Sequence, residues 1–330
     1  MRFATYTHDG AADHGAANHG ARAGVVGDAG IHPLPDGVTV LGLVREGLPA
    51  ALAAGARALA RPAVPLSTVR LRPPLEAPSV RDFTAFEEHS EGMSGRGDLG
   101  VPPGWHTAPR FYFSNPHALI GAHDDVAVPP GCGLLDYELE VAVVIGRDGE
   151  SLSPEQAREH VFGYTVLNDW SARDLQRTEM TGLLGPAKGK DFATTLGPWL
   201  VTADELEPYR DDEGFLALDL RASVNGVQTG QDLLSNMGWT FEELISYAAR
   251  GAKVRAGDVI GGGTCGNGGC LAELWGRTGT TEPPPLRPGD VVELAVEGIG
   301  TVRNRVVAGI ELPALREART RSVPRTRKRG

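Results

Sequence analysis

Two glutamates, Glu138 and Glu140, stand two residues apart in the apolar run 134–146. Alternate residues of a β-strand point to the same face, so both carboxylates would share a face with Asp136. Two carboxylates about 5 Å apart repel by roughly 3 kcal/mol at an effective dielectric near 20, so a buried pair needs a cation between them. The pattern favours two ligands for a hard metal ion. The alternative is an edge strand whose acidic face is wet.

Asp169 and His89 are two further side chains that could do chemistry. Asp169 follows a predicted strand, 162–167, and functional side chains often collect at such strand ends. It could equally cap the next predicted helix, 171–178. His89 lies near the C-terminal end of a predicted helix, 79–93, where the helix dipole stabilises a histidine without any function. The residues alone leave both roles open.

Nucleotide-binding motifs are matched only in part. Residues 95–100 have the spacing of a dinucleotide loop but follow no strand and open no helix, and residues 261–266 run into more glycine where a helix should begin. Residues 188–195 lack the Walker pattern. The sequence therefore predicts no phosphate loop. The late Gly-rich segment, 261–269, is instead expected to approach some ligand closely.

Composition limits the function classes. The net charge of −10 argues against a nucleic-acid surface, although a metal and a few basic residues could still attract an anionic substrate. The three cysteines form no C-x-x-C pair, which favours free thiols and a reducing, cytoplasmic location. Neither a membrane-spanning run of ~18–20 apolar residues nor a secretory signal is evident, so no membrane partner is expected.

The elements that must position these residues are mostly strands. Residues 1–75 are predicted to form a small N-terminal domain, 76–312 the catalytic domain, and 313–330 a basic, disordered tail. His8, His14 and His19 fit a solvated loop better than a metal site. Strands are predicted at 2–7, 24–26, 38–44, 111–113, 162–167, 198–202, 216–224, from 259 and within 289–310. Helices are predicted at 48–60, 79–93, 154–161, 171–178 and 240–250.

Taken together, four motifs resemble those of the fumarylacetoacetate hydrolase family. They lie at 135–140, 168–176, 189–195 and 271–274 and span roughly residues 80–310 in family order, the second being the most specific. The resemblance implies an α+β fold that is mostly β with a few helices. It further implies a mixed β-sheet barrel or roll behind a small N-terminal domain, commonly in a homodimer.

The resemblance also implies roles for individual residues. The implied ligands of Mg²⁺, or of Mn²⁺ or Ca²⁺ in its place, are Glu138, Glu140 and Asp169. Thr194 is implied to border the ion. Substrate contact falls to Tyr112, Arg173, Gln176 and Thr264. Catalysis falls to His89 as general base, its partner Glu273, and Lys190, which can neutralise a substrate oxyanion. Glu88 and Glu91 are alternative partners, because Gly92 stands where one family branch has a carboxylate.

Two positions depart from the larger members of the family. Their fourth metal carboxylate aligns with Ala85, although Asp82 is nearby, and Met180 replaces a substrate-contacting tyrosine. These changes put fumarylacetoacetate itself in doubt as the substrate.

The implied activity is Mg²⁺-dependent hydrolysis of a C–C bond in a 1,3-dicarbonyl or acylpyruvate-type 2-oxo acid, through a metal-bound enolate. Such chemistry would suit the catabolism of aromatic compounds. His89 would activate water and Lys190 would stabilise the developing negative charge. The alternatives are a decarboxylase or enol/keto isomerase of a 2-oxo diacid, and a member that binds a metal or small molecule without catalysis.

Overall fold

The computed structural model describes residues 1–8, 20–94, 100–101 and 104–320. His14, His19, most of the 95–100 pattern and tail residues 321–330 lie outside the described residues. Among the described residues, no helix combines the length and the apolar character needed to cross a membrane.

Strands predominate within these residues. The strands are β1 (Arg2–His8), β2 (Arg22–Gly27), β3 (Gly30–Pro33), β4 (Val69–Arg72), β5 (Val80–Phe83), β6 (Phe111–Ser114), β7 (Leu119–Ile120), β8 (Val126–Ala127), β9 (Leu135–Asp136), β10 (Leu139–Ile145), β11 (Gly149–Glu150), β12 (Val161–Asp169), β13 (Ser171–Ala172), β14 (Thr194–Thr202), β15 (Asp219–Val224), β16 (Val227–Leu233), β17 (Lys253–Val254), β18 (Val259–Gly261), β19 (Val291–Val296) and β20 (Gly300–Val307). The helices are α1 (Val40–Glu46), α2 (Leu48–Leu59), α3 (Glu87–Ser94), α4 (Pro154–Arg158), α5 (Arg173–Met180), α6 (Ala203–Leu206), α7 (Phe241–Ala248) and α8 (Leu271–Thr278).

The larger of the two main sheets has 11 strands, with its main path in the order β3-β2-β1-β14-β12-β10-β18-β5-β6. Strand β10 is central, and every one of its residues is buried. Its sequence is rich in valine, which packs well when both faces of a strand are covered. Most neighbouring strands are antiparallel, whereas β18 pairs with β5 in parallel. The sheet is therefore mixed.

The second main sheet has the order β16-β15-β19-β20-β8. Side chains from both sheets share one apolar core, for example Val143 and Tyr164 from the first and Leu220 and Leu294 from the second. The sequence-based expectation of a mostly β, α+β fold with mixed sheets is confirmed.

The N-terminal strands continue the larger sheet. Strand β1 pairs with β14 through Arg2↔Val201 and Phe3↔Leu200. Phe3 lies in the same apolar cluster as Val144 and Phe162 of the central strands. The division after residue 75 stays a prediction, but residues on both sides of it share a sheet and a core.

Two predicted elements are wrong. The predicted strand 38–44 is mostly helix α1, which Thr39 caps by accepting a hydrogen bond from the Gly42 amide at 2.9 Å. The predicted helix 79–93 is strand β5 followed by the shorter helix α3. All four residues of β5 are buried, and a short strand buried on both faces has no alternation to distinguish it from a helix.

The acidic run 134–146 is not a single strand. It divides into β9 and β10, with Tyr137 and Glu138 between them. The edge-strand alternative is also wrong, because β10 pairs with β12 on one side and with β18 on the other.

Candidate active site and metal centre

Four buried carboxylates meet in the larger sheet. Glu138 precedes β10, Glu140 lies within β10, Asp169 ends β12, and Asp82 lies in β5. Each of these side chains belongs to a residue that is 4% exposed or less. Asp82, Glu138 and Glu140 each offer a carboxylate oxygen, and these oxygens all lie within 4.8 Å of one another.

Strand β18 brings Asp82 to the glutamates, because it pairs with β10 on one side and β5 on the other. Gly261 of β18 lies opposite Asp82 in the register. A Cβ at residue 261 would lie 2.4 Å from Asp82 Oδ1 and 2.9 Å from Glu140 Oε2. Any larger residue would therefore fill the space that the two carboxylates share.

Two buried cations contact this group. Lys190 Nζ donates to Asp169 Oδ2 at 2.6 Å and also to Glu138 Oε2. Arg173 Nη1 lies 2.7 Å from Glu138 Oε1, and its Nη2 lies 2.8 Å from Asp136. These charge-assisted contacts offset part of the cost of burying the acids.

The backbone near Lys190 lies very close to helix α5. A Cβ at Gly189 would come within 2.7 Å of the Gln176 backbone. The Gly189 carbonyl also accepts a hydrogen bond from the Ala172 amide at 2.8 Å. Glycine at 189 thus lets the loop that carries Lys190 pack against the start of the helix that carries Arg173 and Gln176.

Tyr112 and Thr264 contact the carboxylates from the cavity side. The Tyr112 hydroxyl donates to Asp82 Oδ2 at 3.0 Å and also contacts Asp169. The Thr264 hydroxyl and the Gly263 amide donate to Glu140, each at 3.2 Å. Both residues were predicted to face substrate, and here they also hold the acidic group in place.

The acids differ in protonation. Burial alone would raise the pKa of Glu138, but the charges of Lys190 and Arg173 outweigh it and hold that pKa below its usual range. Burial raises the pKa of Asp169 to about 8. The positive charge of Lys190 lowers this pKa in part, and the negative charge of Glu138 raises it further. Burial and the neighbouring Asp82 raise the pKa of Glu140 well above its usual value, and burial likewise raises the pKa of Asp82. In the absence of a metal ion, part of the group therefore holds protons at neutral pH, whereas Glu138 is ionised.

The residues fit a divalent cation. Asp82 Oδ1, Asp169 Oδ1 and Thr194 Oγ1 are buried and have no hydrogen-bond partner among the described residues. Thr194 lies opposite Asp169 in the register of β14 and β12. Unpartnered buried oxygens are costly, and an oxygen-only set suits hard ions such as Mg²⁺. This set of oxygen ligands fits the dependence on a divalent metal that the family resemblance implies.

Asp82 was not predicted as a candidate ligand. Ala85, which aligns with the fourth metal carboxylate of the larger family members, has no side-chain oxygen that could take that role. Ala85 is fully buried among apolar residues, three positions beyond the strand residue that reaches the glutamates. The signal in the sequence was the charged pair Arg81 and Asp82 between the apolar residues Val80 and Phe83. The incorrect helix over 79–93 obscured that signal, because a helix would have turned Asp82 to a different face.

His89 on α3 faces Glu273 on α8. Its Nδ1 lies 3.8 Å from Glu273 Oε2. The Glu273 carboxylate accepts hydrogen bonds from the Asn267 amide at 2.9 Å, the Gly268 amide at 3.3 Å and Arg277 Nε at 2.9 Å. The late Gly-rich segment therefore fixes the carboxylate. Among the described residues, His89 makes its ion-pair contact with Glu273 and not with Glu88 or Glu91.

Close packing of α3 on α8 keeps this pair together. A Cβ at Gly92 would lie 2.3 Å from Glu273 Cγ. Cys270 caps α8, since its Sγ accepts a hydrogen bond from the Glu273 amide at 3.3 Å.

A cavity of about 410 Å³ opens beside these groups. Its walls include one predicted metal ligand, Glu138, and most of the predicted catalytic and substrate residues: His89, Tyr112, Arg173, Gln176, Lys190 and Thr264. Glu140, Asp169, Thr194 and Glu273 lie behind the wall. Residues that the sequence did not single out also line it, notably Arg110, Trp105 and Met93, and nothing in their local sequence marked them.

Comparison with protein families matches residues 79–307 to the model described as fumarylacetoacetate (FAA) hydrolase C-terminal. The matched region contains every residue of the candidate site named above.

Relatives named for an activity include an oxaloacetate tautomerase, YisK, from Bacillus subtilis. It is 32% identical over 245 residues, which cover 73% of this chain and 74% of that protein. A fumarylacetoacetase from Arabidopsis thaliana is 30% identical over 257 residues, which cover 63% of this chain and 61% of that protein. Among solved structures, a fumarylacetoacetate hydrolase from Exiguobacterium antarcticum has a TM-score of 0.67 at 26% identity, over 93% of this chain and 99% of that one.

Proposed function

The chain belongs to the fumarylacetoacetate hydrolase family, and we propose that it is a Mg²⁺-dependent hydrolase that cleaves a C–C bond in an acylpyruvate-type 2-oxo acid. The observation that carries the proposal is the contact of His89, which lines the cavity, with the buried Glu273, whose Oε2 lies 3.8 Å from Nδ1. A histidine oriented by a buried carboxylate is suited to take a proton from water. The same cavity wall carries Lys190 and Arg173, which suit an anionic substrate.

The metal would be held by Asp82, Glu138, Glu140 and Asp169. When bound, a divalent cation supplies Lewis-acid polarisation to the oxygens of a 2-oxo acid.

The chain's own residues account for the remaining requirements. Arg173 and Gln176 lie together at the cavity wall, with Arg173 Nη1 3.1 Å from Gln176 Oε1, and would orient the substrate carboxylate. Because Nδ1 of His89 faces Glu273, the other ring nitrogen takes the proton from water, and Glu273 stabilises the imidazolium that results. The hydroxide attacks the distal carbonyl, and the C–C bond breaks. Lys190 stabilises the negative charge left on the oxygen of the 2-oxo fragment.

The test is His89→Ala in the Mg²⁺-loaded protein, assayed by mass spectrometry of products from a panel of acylpyruvates. Turnover should fall by about 10²–10⁴, the usual contribution of a general base. Calorimetric Mg²⁺ affinity should be retained, because the carboxylates are untouched. The matched control is His106→Ala, since His106 is an exposed histidine that pairs with Glu87 at 3.2 Å. Near wild-type cleavage by His89→Ala would refute the role of His89.

A second candidate is enol/keto isomerisation of a 2-oxo diacid, favoured by the relative named oxaloacetate tautomerase. This reaction moves a proton between carbon and oxygen and needs no attacking water. It is distinguished by adding oxaloacetate to the panel and following its enol and keto forms. Acceleration of that interconversion without cleavage of any acylpyruvate would replace the hydrolase proposal with this one.

We also propose that the protein acts as a homodimer in a reducing, cytoplasmic compartment and binds neither nucleic acid nor membrane. The net charge of −10 and three free cysteines support the compartment and the absence of those partners, and the homodimer is what the family resemblance implies. Light scattering on the eluting protein would test the dimer.

A further inference from the structure

A second group of possible metal ligands shares Glu138 with the first and differs from it in chemistry. His89, Cys270 and Glu138 each offer one ligand atom, and these atoms all lie within 4.8 Å of one another. His89 Nδ1 and Cys270 Sγ lie 3.9 Å apart. All three residues are buried.

The geometry of this pair suits zinc. A tetrahedral Zn²⁺ with bonds of about 2.0–2.1 Å to nitrogen and about 2.3 Å to sulfur separates those two atoms by about 3.6 Å. The observed 3.9 Å needs an adjustment of only a few tenths of an ångström. Nitrogen, thiolate and one carboxylate are the ligands that Zn²⁺ prefers, whereas the group around Asp82 and Glu140 offers oxygen alone.

The local charge leaves room for a second cation. Six buried carboxylates lie in this region: Asp82, Asp136, Glu138, Glu140, Asp169 and Glu273. Among the described residues, three side-chain cations contact them, namely Arg173, Lys190 and Arg277. The buried carboxylates in this region therefore outnumber the side-chain cations that contact them by two to one.

The site can be reached through the cavity. His89 and Glu138 line its wall, and Cys270 lies behind His89. On binding, the Cys270 thiol would lose its proton to solvent, and the thiolate would become the ligand.

We propose that His89, Cys270 and Glu138 form a soft-metal site that binds Zn²⁺. Binding fixes His89 on the ion and prevents it from taking a proton from water, so Zn²⁺ inhibits the enzyme. The inhibition rests on the proposed role of His89 in catalysis, whereas the binding of the ion does not.

Cys270→Ser is the discriminating variant. A serine hydroxyl can accept the hydrogen bond from the Glu273 amide that now goes to Cys270 Sγ, and serine is a preferred capping residue. A neutral hydroxyl is nevertheless a poor ligand for Zn²⁺. Cys132→Ser is the matched control, because Cys132 is a free thiol that belongs to neither group of ligands.

The first experiment needs no substrate. Co²⁺, which takes zinc sites and is coloured, is added to the full-length protein in the presence of saturating Mg²⁺. A thiolate-to-cobalt charge-transfer band should develop in the wild type and in Cys132→Ser, and should be absent from Cys270→Ser. Absence of the band from the wild type would overturn the proposal even if Cys270→Ser failed to fold.

The second experiment titrates Zn²⁺ against Mg²⁺-dependent turnover, with each variant normalised to its own zinc-free rate. Loss of one ligand should raise the half-inhibitory Zn²⁺ concentration by at least about tenfold in Cys270→Ser and leave it unchanged in Cys132→Ser. Equal inhibition of wild type and Cys270→Ser would mean that zinc acts by displacing Mg²⁺ from the all-oxygen site, and the inhibitory role would be wrong. A cobalt band in a protein without turnover would keep the metal site while rejecting the proposed function.

Discussion

At the scale of single residues, Asp82 is the fourth carboxylate of the buried acidic group. Its carboxylate shares the space above Gly261 with Glu140, and its Oδ1 is buried without a hydrogen-bond partner among the described residues. An unpartnered carboxylate oxygen directed at two other acids is stable only if a proton or a cation accompanies it.

Replacing Asp82 by asparagine should therefore weaken Mg²⁺ binding by at least about tenfold, because a neutral amide oxygen takes the place of a charged ligand. Calorimetric titration measures the effect. Asp125→Asn, which changes an exposed acid on a loop, should leave the affinity unchanged. An Asp82→Asn protein that binds Mg²⁺ as tightly as the wild type would show that three carboxylates suffice.

The sequence predicted the residues of the candidate site better than it predicted some of the helices and strands. The residues that lie together as the resemblance implied are Glu138, Glu140, Asp169, Lys190, His89 and Glu273, because each was identified from the short segment around it. Asp82 was missed because its strand is buried on both faces, and its partners β18 and β6 lie far away in sequence. Pairing over such distances leaves no periodic trace in the segment itself.

At the level of elements, the contact between α3 and α8 sets the distance from His89 to Glu273. Gly92 permits this contact, since a Cβ there would meet Glu273 Cγ at 2.3 Å and Arg277 Nε at 3.1 Å. Both of these atoms belong to the side chains that hold the carboxylate beside the histidine.

Gly92→Ala should therefore push the two helices apart and lower turnover by about tenfold or more, since a displacement near 1 Å is costly at a catalytic pair. Mg²⁺ affinity, measured by calorimetry, should be unaffected, because the four carboxylates lie on other elements. Glu91→Ala on the same helix is the control. Unchanged turnover in Gly92→Ala would mean that the helices can separate without disturbing the pair.

At the scale of the whole molecule, the acidic group links metal binding to stability and pH. In the metal-free protein the pKa of Asp169 is raised to about 8 by burial, and that of Glu140 is also raised. The unfolded chain releases these protons near pH 4, so the metal-free fold binds more protons than the unfolded chain and loses stability as pH rises toward 8.

Mg²⁺ displaces those protons, and the stabilisation it gives should therefore increase from pH 6 to pH 8. Each proton displaced corresponds to about tenfold in affinity per pH unit. Thermal unfolding with saturating Mg²⁺ and with EDTA, at both pH values, measures the effect. Asp169→Asn should reduce this pH dependence, and a Mg²⁺-induced shift that is equal at the two pH values would contradict the protonation states assigned here.

The order of strands in the larger sheet has a consequence for synthesis of the chain. Asp82 reaches the glutamates only through β18, whose residues Val259–Gly261 are made long after β5, and β1 must wait for β14. Contacts between segments so distant in sequence form late and slowly. A ribosome must therefore translate most of the chain before the fourth acid can join the other three. The nascent polypeptide carries these acids apart for most of its synthesis and gains the complete group of four only near the end.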